Sequence, residues 1–261
     1  MYQEERLLKI LEYLKNHQTM SVIDICTQFE VSRDTARRDI VRLVQEGVVI
    51  RTHGGLSLPE LQKEMLSYQD RLIDESESKK RIGKFGAQLI QDHETVILDV
   101  STTVQFVAEQ ITANNITVVT HSIDNVGILS KRDDLQIYIL GGYLNVKHRF
   151  LYGSSIIDKL SEIRADKAFI GASAIRADGL YYPYEEDARV KKEMARRSDQ
   201  VIVVADHTKF TGKSIHRLDF DFVDIVITNR ELPVEIREVL DQKNITVIEC
   251  QEEHQEVRGQ D

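Results

Sequence analysis

The sequence predicts an α/β protein: an N-terminal winged helix-turn-helix followed by a larger α/β domain with a mostly parallel sheet. Three observations lead there. The first sixty residues run in the order helix, turn, arginine-bearing helix and glycine-tipped hairpin. Beyond residue 94, short runs rich in Val and Ile alternate with amphipathic segments. At 261 residues the chain has room for one small and one large domain, each with its own core.

In the head, Glu4 to Asn16 carries Leu7, Leu8, Leu11 and Leu14 at helical spacing, which predicts a first amphipathic helix packed on two others. Ser21, with Asp24 three residues on, makes a capping arrangement for a second helix that ends at Phe29 and turns at Glu30-Val31. Val22, Ile25 and Phe29 give that helix one apolar face. Ser32 caps a third helix with Ala36, Ile40, Leu43 and Val44 inward, and Gly47 supplies the positive φ that ends it. Arg33, Asp34, Thr35, Arg37 and Arg38 then fall on or near the exposed N-terminal part of the third helix. In a winged helix-turn-helix that helix enters the major groove of DNA, where arginine suits both guanine edges and phosphate oxygens. Val48 to Leu56 reads as a wing whose Arg51 and His53 reach the flanking backbone or minor groove. A basic helix face alone is commonly just solvated. Two caps, a tight turn, a basic face and a glycine wing in one compact unit point to duplex DNA as the partner.

Composition agrees with an intracellular regulator. The formal net charge is −9, so DNA affinity must come from a local patch working against the field of an acidic remainder. Cys26 and Cys250 are far apart, lack metal-ligand spacing and read as two reduced, buried thiols, with no metal expected. No signal peptide or membrane-length apolar run appears, so a cytoplasmic address without a membrane partner is the expectation.

The head is assigned to 1–57. A polar linker over 58–78 follows, holding Pro59 and partly helical through Leu61, Met65, Leu66 and Leu72. The larger domain covers 79–252, and 253–261 is a polar tail. Within the larger domain, strands are expected at Thr95–Val100, Ile116–Thr120, Leu135–Leu140, Lys167–Ile170, Gln200–Ala205, Phe222–Thr228 and Thr246–Glu249. Helices are expected at Lys80–Gln91, Thr103–Thr112, Ile123–Lys131, Ser154–Ile163, Asp187–Arg197 and Val234–Gln242. That alternation predicts a parallel sheet covered on both faces, and in such sheets ligands bind outside the carboxyl ends of the strands.

The residues at those ends are of a kind. Asp99 is followed by Ser101, Thr102 and Thr103 at a helix start, a natural phosphate cradle. Thr120, His121 and Ser122 close the second strand, and Gly141 and Gly142 the third, where missing side chains let a ligand approach the backbone. Gly171 and Ser173 close the fourth, with Asp166 at its start, and Asp206 and Lys209 follow the fifth. Between these last two lie Glu186 and Lys191. Hydroxyls, lysines and carboxylates on one edge suit a phosphorylated sugar, basic groups holding the phosphate and carboxylates the sugar hydroxyls. Each also has a plain structural reading: helix caps, turns and loop anchors. Tyr181-Tyr182-Pro183-Tyr184 reads as buried packing, with pocket lining or a subunit contact as alternatives.

Thr35-Ala36-Arg37-Arg38-Asp39-Ile40, Leu43, Glu46-Gly47, Arg51 and His53-Gly54-Gly55 together resemble the N-terminal signature of the DeoR (GlpR-type) bacterial repressors. Asp99 with Ser101-Thr102-Thr103, Thr120-His121-Ser122, Gly141-Gly142, Asp166 to Gly171, Glu186 with Lys191, and Ala205 to Lys209 follow that family's sensor domain in order. The resemblance implies a sensor similar in fold to ribose-5-phosphate isomerase and glucosamine-6-phosphate deaminase. It also implies a repressor of a sugar or polyol operon, released from operator DNA by a phosphorylated sugar, with no cofactor. Ser101 stands where the family usually has glycine, His121 where it has asparagine and Ala174 where it has glycine. An added side chain at Ser101 is expected to crowd the phosphate loop, and His121 to bring a group that changes charge near neutrality. A homo-oligomer, dimer or tetramer, is expected because one small winged helix gives limited affinity. The alternative is a sugar-phosphate isomerase or deaminase with a DNA-binding head, using Asp99, Asp166, Glu186 and Lys191 for acid–base work. A fused winged helix is superfluous to an enzyme, so the reading is a regulator without enzymatic activity.

Overall fold

The computed structural model describes residues 3–17, 19–45, 48–52, 55–57 and 67–250. The chain divides into two compact units, Met1–Ser67 and Tyr68–Asp261. The expected features at Gly47, His53, Gly54, the linker stretch 58–66 and the tail 253–261 lie outside the described residues.

In the first unit, α1 (Gln3–His17), α2 (Val22–Phe29) and α3 (Arg33–Gln45) surround a core of Leu7, Ile10, Leu14, Ile25, Phe29, Ala36, Ile40 and Leu43. The Ser21–Asp24 capping box forms in both directions, and Glu30 ends α2 in the left-handed region with φ 51°. Leu8 and Val44 are corrections: Leu8 is 68% exposed and Val44 sits on the outer side. The buried stripes run 7-10-14 and 36-40-43, and Asp39 occupies the inward place that Val44 was expected to share. Strand β1 (Thr19–Ser21) pairs with β3 (Gly55–Ser57), which also pairs with β2 (Ile50–Thr52), all antiparallel. Gly55 makes this possible, because a Cβ there would lie 2.0 Å from the Met20 carbonyl oxygen. Arg51 belongs to β2.

The second unit opens with α4 (Tyr68–Ile73) and α5 (Ser76–Gln88), then alternates: β4 (Thr95–Leu98), α6 (Thr102–Glu109), β5 (Thr117–Thr120), α7 (Ile123–Leu129) and β6 (Gln136–Ile139). A hairpin of β7 (Tyr143–Asn145) and β8 (Phe150–Tyr152) precedes α8 (Ser154–Ser161) and β9 (Ala165–Gly171). Next come β10 (Ala174–Arg176), β11 (Gly179–Tyr182), α9 (Glu185–Arg196), β12 (Ser198–Val204) and β13 (His216–Leu218). The unit closes with β14 (Ile225–Thr228), α10 (Val234–Gln242) and β15 (Thr246–Glu249).

The seven expected strands form one sheet in the order β15-β14-β12-β9-β4-β5-β6, every neighbouring pair parallel. Alternate residues feed two cores. Ile97, Val119, Ile170, Val203 and Val226 face one side with residues of α8, α9 and α10. Val96, Leu98, Val118, Ile202, Val204 and Ile227 face the other with residues of α5 and α6. Neither the β7–β8 hairpin nor the small antiparallel sheet β10-β11-β13 was among the expected strands. Among the described residues no helix is long and apolar enough to cross a membrane.

Candidate functional site

On the head, the Ser32 hydroxyl accepts from the Thr35 amide at 3.2 Å and lies 3.0 Å from the Thr35 hydroxyl, fixing the start of α3. Arg33, Asp34, Arg37 and Arg38 are exposed and Thr35 is half-buried. Among the described residues Arg33, Arg37 and Arg38 have no carboxylate partner, and all three guanidinium groups are carried on the exposed side of α3.

In the second unit, four adjacent strands of the sheet, β12, β9, β4 and β5, bring their carboxyl ends together. Asp99, fully buried after β4, accepts from the Lys191 ammonium at 2.8 Å and from the Gly171 amide at 3.0 Å. Lys191 reaches there from α9, only 3% exposed, and its other partner is Asp187 at 2.5 Å. Burial alone would lower the Lys191 ammonium, but the carboxylates of Asp187 and Asp99 outweigh it and hold the group protonated above its ordinary range. Burial raises the Asp187 carboxyl against the pull of that same lysine. After β12, Asp206 is fully buried and lies 3.5 Å from Lys209 while accepting from the Thr208 amide.

Several hydroxyls of the expected set are engaged with backbone. Ser101 accepts from the Thr103 amide at 3.2 Å as the cap of α6. Thr120 donates to the Leu98 carbonyl at 2.7 Å and accepts from the Ser122 amide, while Ser122 caps α7 through the Asn125 amide. Thr102 and Thr103 are buried in the first turn of α6. Ser173 is half-buried just past β9. Gly141 and Gly142 are exposed beyond the edge strand β6, and Gly142 is there because a Cβ would meet the Tyr152 carbonyl oxygen at 2.3 Å.

Two expected members are not brought together with the rest. Asp166 lies on the opposite, amino-terminal edge of the sheet, exposed, accepting from the Thr95 amide at 2.7 Å. The reason is register: Asp166 opens its strand, and in a parallel sheet all strand starts share the far edge. Glu186 points outward, exposed, and its neighbour Asp187 takes the contact. Spacing carried that signal, since Asp187 and Lys191 stand at i and i+4. Arg71 and Lys79 join the cluster from α4 and α5 with no strand-end signal to announce them. Lys79 is 1% exposed and donates to the carbonyls of Arg71 (2.6 Å) and Asp74. Burial lowers both cations, with Asp206 opposing at Lys79 and Asp187 and Asp99 opposing at Arg71.

The Ser101 side chain does not sit in an open loop. A Cβ on Gly171 would lie 2.3 Å from its Oγ and 2.4 Å from its Cβ, so Ser101 packs into the space that Gly171 leaves. Gly171→Ala is therefore expected to destabilise the protein by about 1–3 kcal/mol through overpacking. Ser101→Gly in the same chain is expected to restore most of that loss in a double-mutant cycle read by thermal denaturation. An additive cycle would place the clash elsewhere.

His121 is buried edge-on to Phe150 of the hairpin at 6.0 Å, and Phe150 in turn stacks with His148 at 6.4 Å. Burial pushes His121 down to about 4, so it stays neutral through the physiological range, contrary to the expectation of a group titrating near neutrality. A folded value below the unfolded one means a contribution present above pH 6.5 and lost as pH falls from there to about 4, worth about 3 kcal/mol in all. His121→Asn is expected to flatten the stability profile across that window while leaving it parallel to wild type above pH 7. Denaturant titrations at stepped pH check this, and an unchanged acid slope counts against it.

A family model described as the DeoR C-terminal sensor domain matches residues 74–230, and one described as a DeoR-like helix-turn-helix domain matches 6–62. The chain is 44% identical over 249 residues to the HTH-type transcriptional repressor GlcR of Bacillus subtilis (strain 168), covering 95% of this chain and 96% of that one. It is 30% identical over 254 residues to the glycerol-3-phosphate regulon repressor of Escherichia coli (strain K12), covering 96% and 100%. A solved structure of D-ribose-5-phosphate isomerase in complex with phospho-erythronic acid is similar over 52% of this chain and 54% of its own, at 18% identity and a TM-score of 0.39.

Proposed function

The chain belongs to the DeoR family of helix-turn-helix transcriptional regulators, and from that premise we propose that it represses a sugar or polyol operon and is released from DNA by a phosphorylated sugar. The observation that carries the effector reading is the charge of the strand-end cluster. Lys191, Arg71, Lys79 and Lys209 gather at one edge of the sheet in a largely buried setting, facing Asp99, Asp187, Asp206 and, at Lys79, Asp74. Those cations, with the first-turn amide of α6 at Thr102, suit an anion such as a phosphate. Among the described residues Asp206 Oδ2 has no hydrogen-bond partner, which leaves a carboxylate oxygen for a sugar hydroxyl. The regulator reading is favoured over an isomerase because Asp99, the candidate base, has both oxygens occupied, by Lys191 and the Gly171 amide.

The effector acts by binding the DNA-competent and DNA-incompetent states with different affinity. Two heads of a homo-oligomer, reading half-sites about one helical turn apart, supply the affinity that a single head lacks. The test is a thermal-shift screen against phosphorylated sugars and polyols, in which a ligand at a hundred times its Kd adds about 2.7 kcal/mol of apparent stability. One or more members of the panel are expected to raise the melting temperature of wild type and to lose that effect in Thr102→Ala and Lys209→Ala. A panel without response, or a response kept by both variants, removes the effector pocket from this edge of the sheet.

A further inference from the structure

The most buried ion pair of the head has no part in its outer, DNA-facing surface. Arg6 of α1 donates through Nε to Asp39 Oδ2 at 2.6 Å and through Nη2 to Oδ1 at 3.2 Å, a two-pronged contact with side chains 7% and 0% exposed. Gln3 donates to the same Oδ1 at 2.9 Å, and Arg42 of α3 donates back to Gln3 Oε1 at 3.2 Å. A polar chain Arg6–Asp39–Gln3–Arg42 thus crosses three times between α1 and α3. Arg37 and Arg38 immediately precede Asp39 and are exposed.

Apolar packing does not explain this arrangement. Ala36, Ile40 and Leu43 already supply a continuous buried stripe on α3, and a buried ion pair is commonly no more stabilising than an apolar pair of similar volume. What it adds is direction. Aliphatic ridges tolerate a roll or a slide of one helix on another, whereas a two-pronged guanidinium–carboxylate contact accepts one geometry.

We propose that Asp39 and Arg6 are positioning residues for DNA reading: their pair fixes the roll and axial setting of α3 on α1, and thereby where Arg33, Arg37 and Arg38 point. This rests on α3 being the helix that reads DNA. The pair touches no base and adds no charge to the DNA-facing surface; it acts on sequence preference and leaves general duplex affinity alone.

The experiment uses the full chain and a pool of random-sequence duplexes, from which wild type enriches a preferred sequence. The double variant Arg6→Met/Asp39→Leu is expected to melt at or above the wild-type temperature. Its preference for the enriched duplex over an unrelated one is expected to fall about tenfold or more, with affinity for the unrelated duplex unchanged. Wild-type preference in the folded double variant overturns the proposal, as does an equal loss on both duplexes. If that variant does not fold, Arg6→Lys carries the test, keeping the charge but not the fork. A reduced preference in a chain that melts like wild type supports the pair, and an unchanged one overturns it. Arg37→Ala runs alongside: if it keeps full preference, α3 is not the reading helix and the failure lies in that premise.

Discussion

Replacing Arg37 and Arg38 together by alanine is expected to abolish sequence-specific DNA binding while leaving the fold intact. Each guanidinium that meets a guanine edge or a phosphate contributes about 1–3 kcal/mol. The pair therefore accounts for about 2–6 kcal/mol, a loss of roughly thirty-fold to twenty-thousand-fold in affinity. Both side chains are exposed and neither has a carboxylate partner among the described residues, so the melting temperature is expected to stay near wild type. Anisotropy titrations on the duplex that wild type enriches, at two salt concentrations, read both parts. A contact to phosphate lowers the salt slope by about one per residue, and a contact to a base leaves it in place. Native affinity in the double variant would mean that another surface reads the DNA.

The second large effect belongs to the sensor. Asp99→Ala is expected to destabilise the protein by about 3 kcal/mol, the lower part of the range for breaking a buried pair, because Asp187 remains as a partner for Lys191. It also strips the Gly171 amide of its acceptor. For a unit of this size the melting temperature is expected to fall by about 6–12 °C. Lys191→Met is expected to cost as much, leaving two buried carboxylates facing each other. Asp166→Ala, on the exposed opposite edge, is expected to change stability by less than about 1 kcal/mol. Calorimetry on the three variants separates the edges of the sheet, and equal effects at Asp99 and Asp166 would contradict the placement.

The parallel sheet was legible because its strands are buried on both faces. Val96-Ile97-Leu98 and Val201-Ile202-Val203-Val204 feed the two cores alternately, and only continuous apolar runs do that. The β7–β8 hairpin has the opposite character. Tyr143 is 75% and Leu144 44% exposed, in strands of three residues each, so neither length nor alternation marks them. In the site, Asp99, Lys191, Asp206 and Lys209 could be read from their positions on elements. Asp187 was within reach of helical spacing, where the acidic run drew attention to Glu186 instead. Asp166 was assigned by motif order although its place at a strand start fixes it on the far edge. Arg71 and Lys79 were out of reach: only closure of α4 and α5 over the sheet shows where their cations end.

The strand order also sets a timetable for synthesis. β9 and β12 occupy the middle of the sheet, yet Asp166 of β9 follows its contact Thr95 by 71 residues. The head, built from neighbouring segments, can complete itself while the sensor is still being translated. The inner edge of β4 meanwhile waits without β9 until about residue 171 has emerged, and β9 in turn without β12 until about residue 204. Sensor substitutions that slow this late closure will lower the yield of soluble protein in the cell before they alter any property of the chains that do fold.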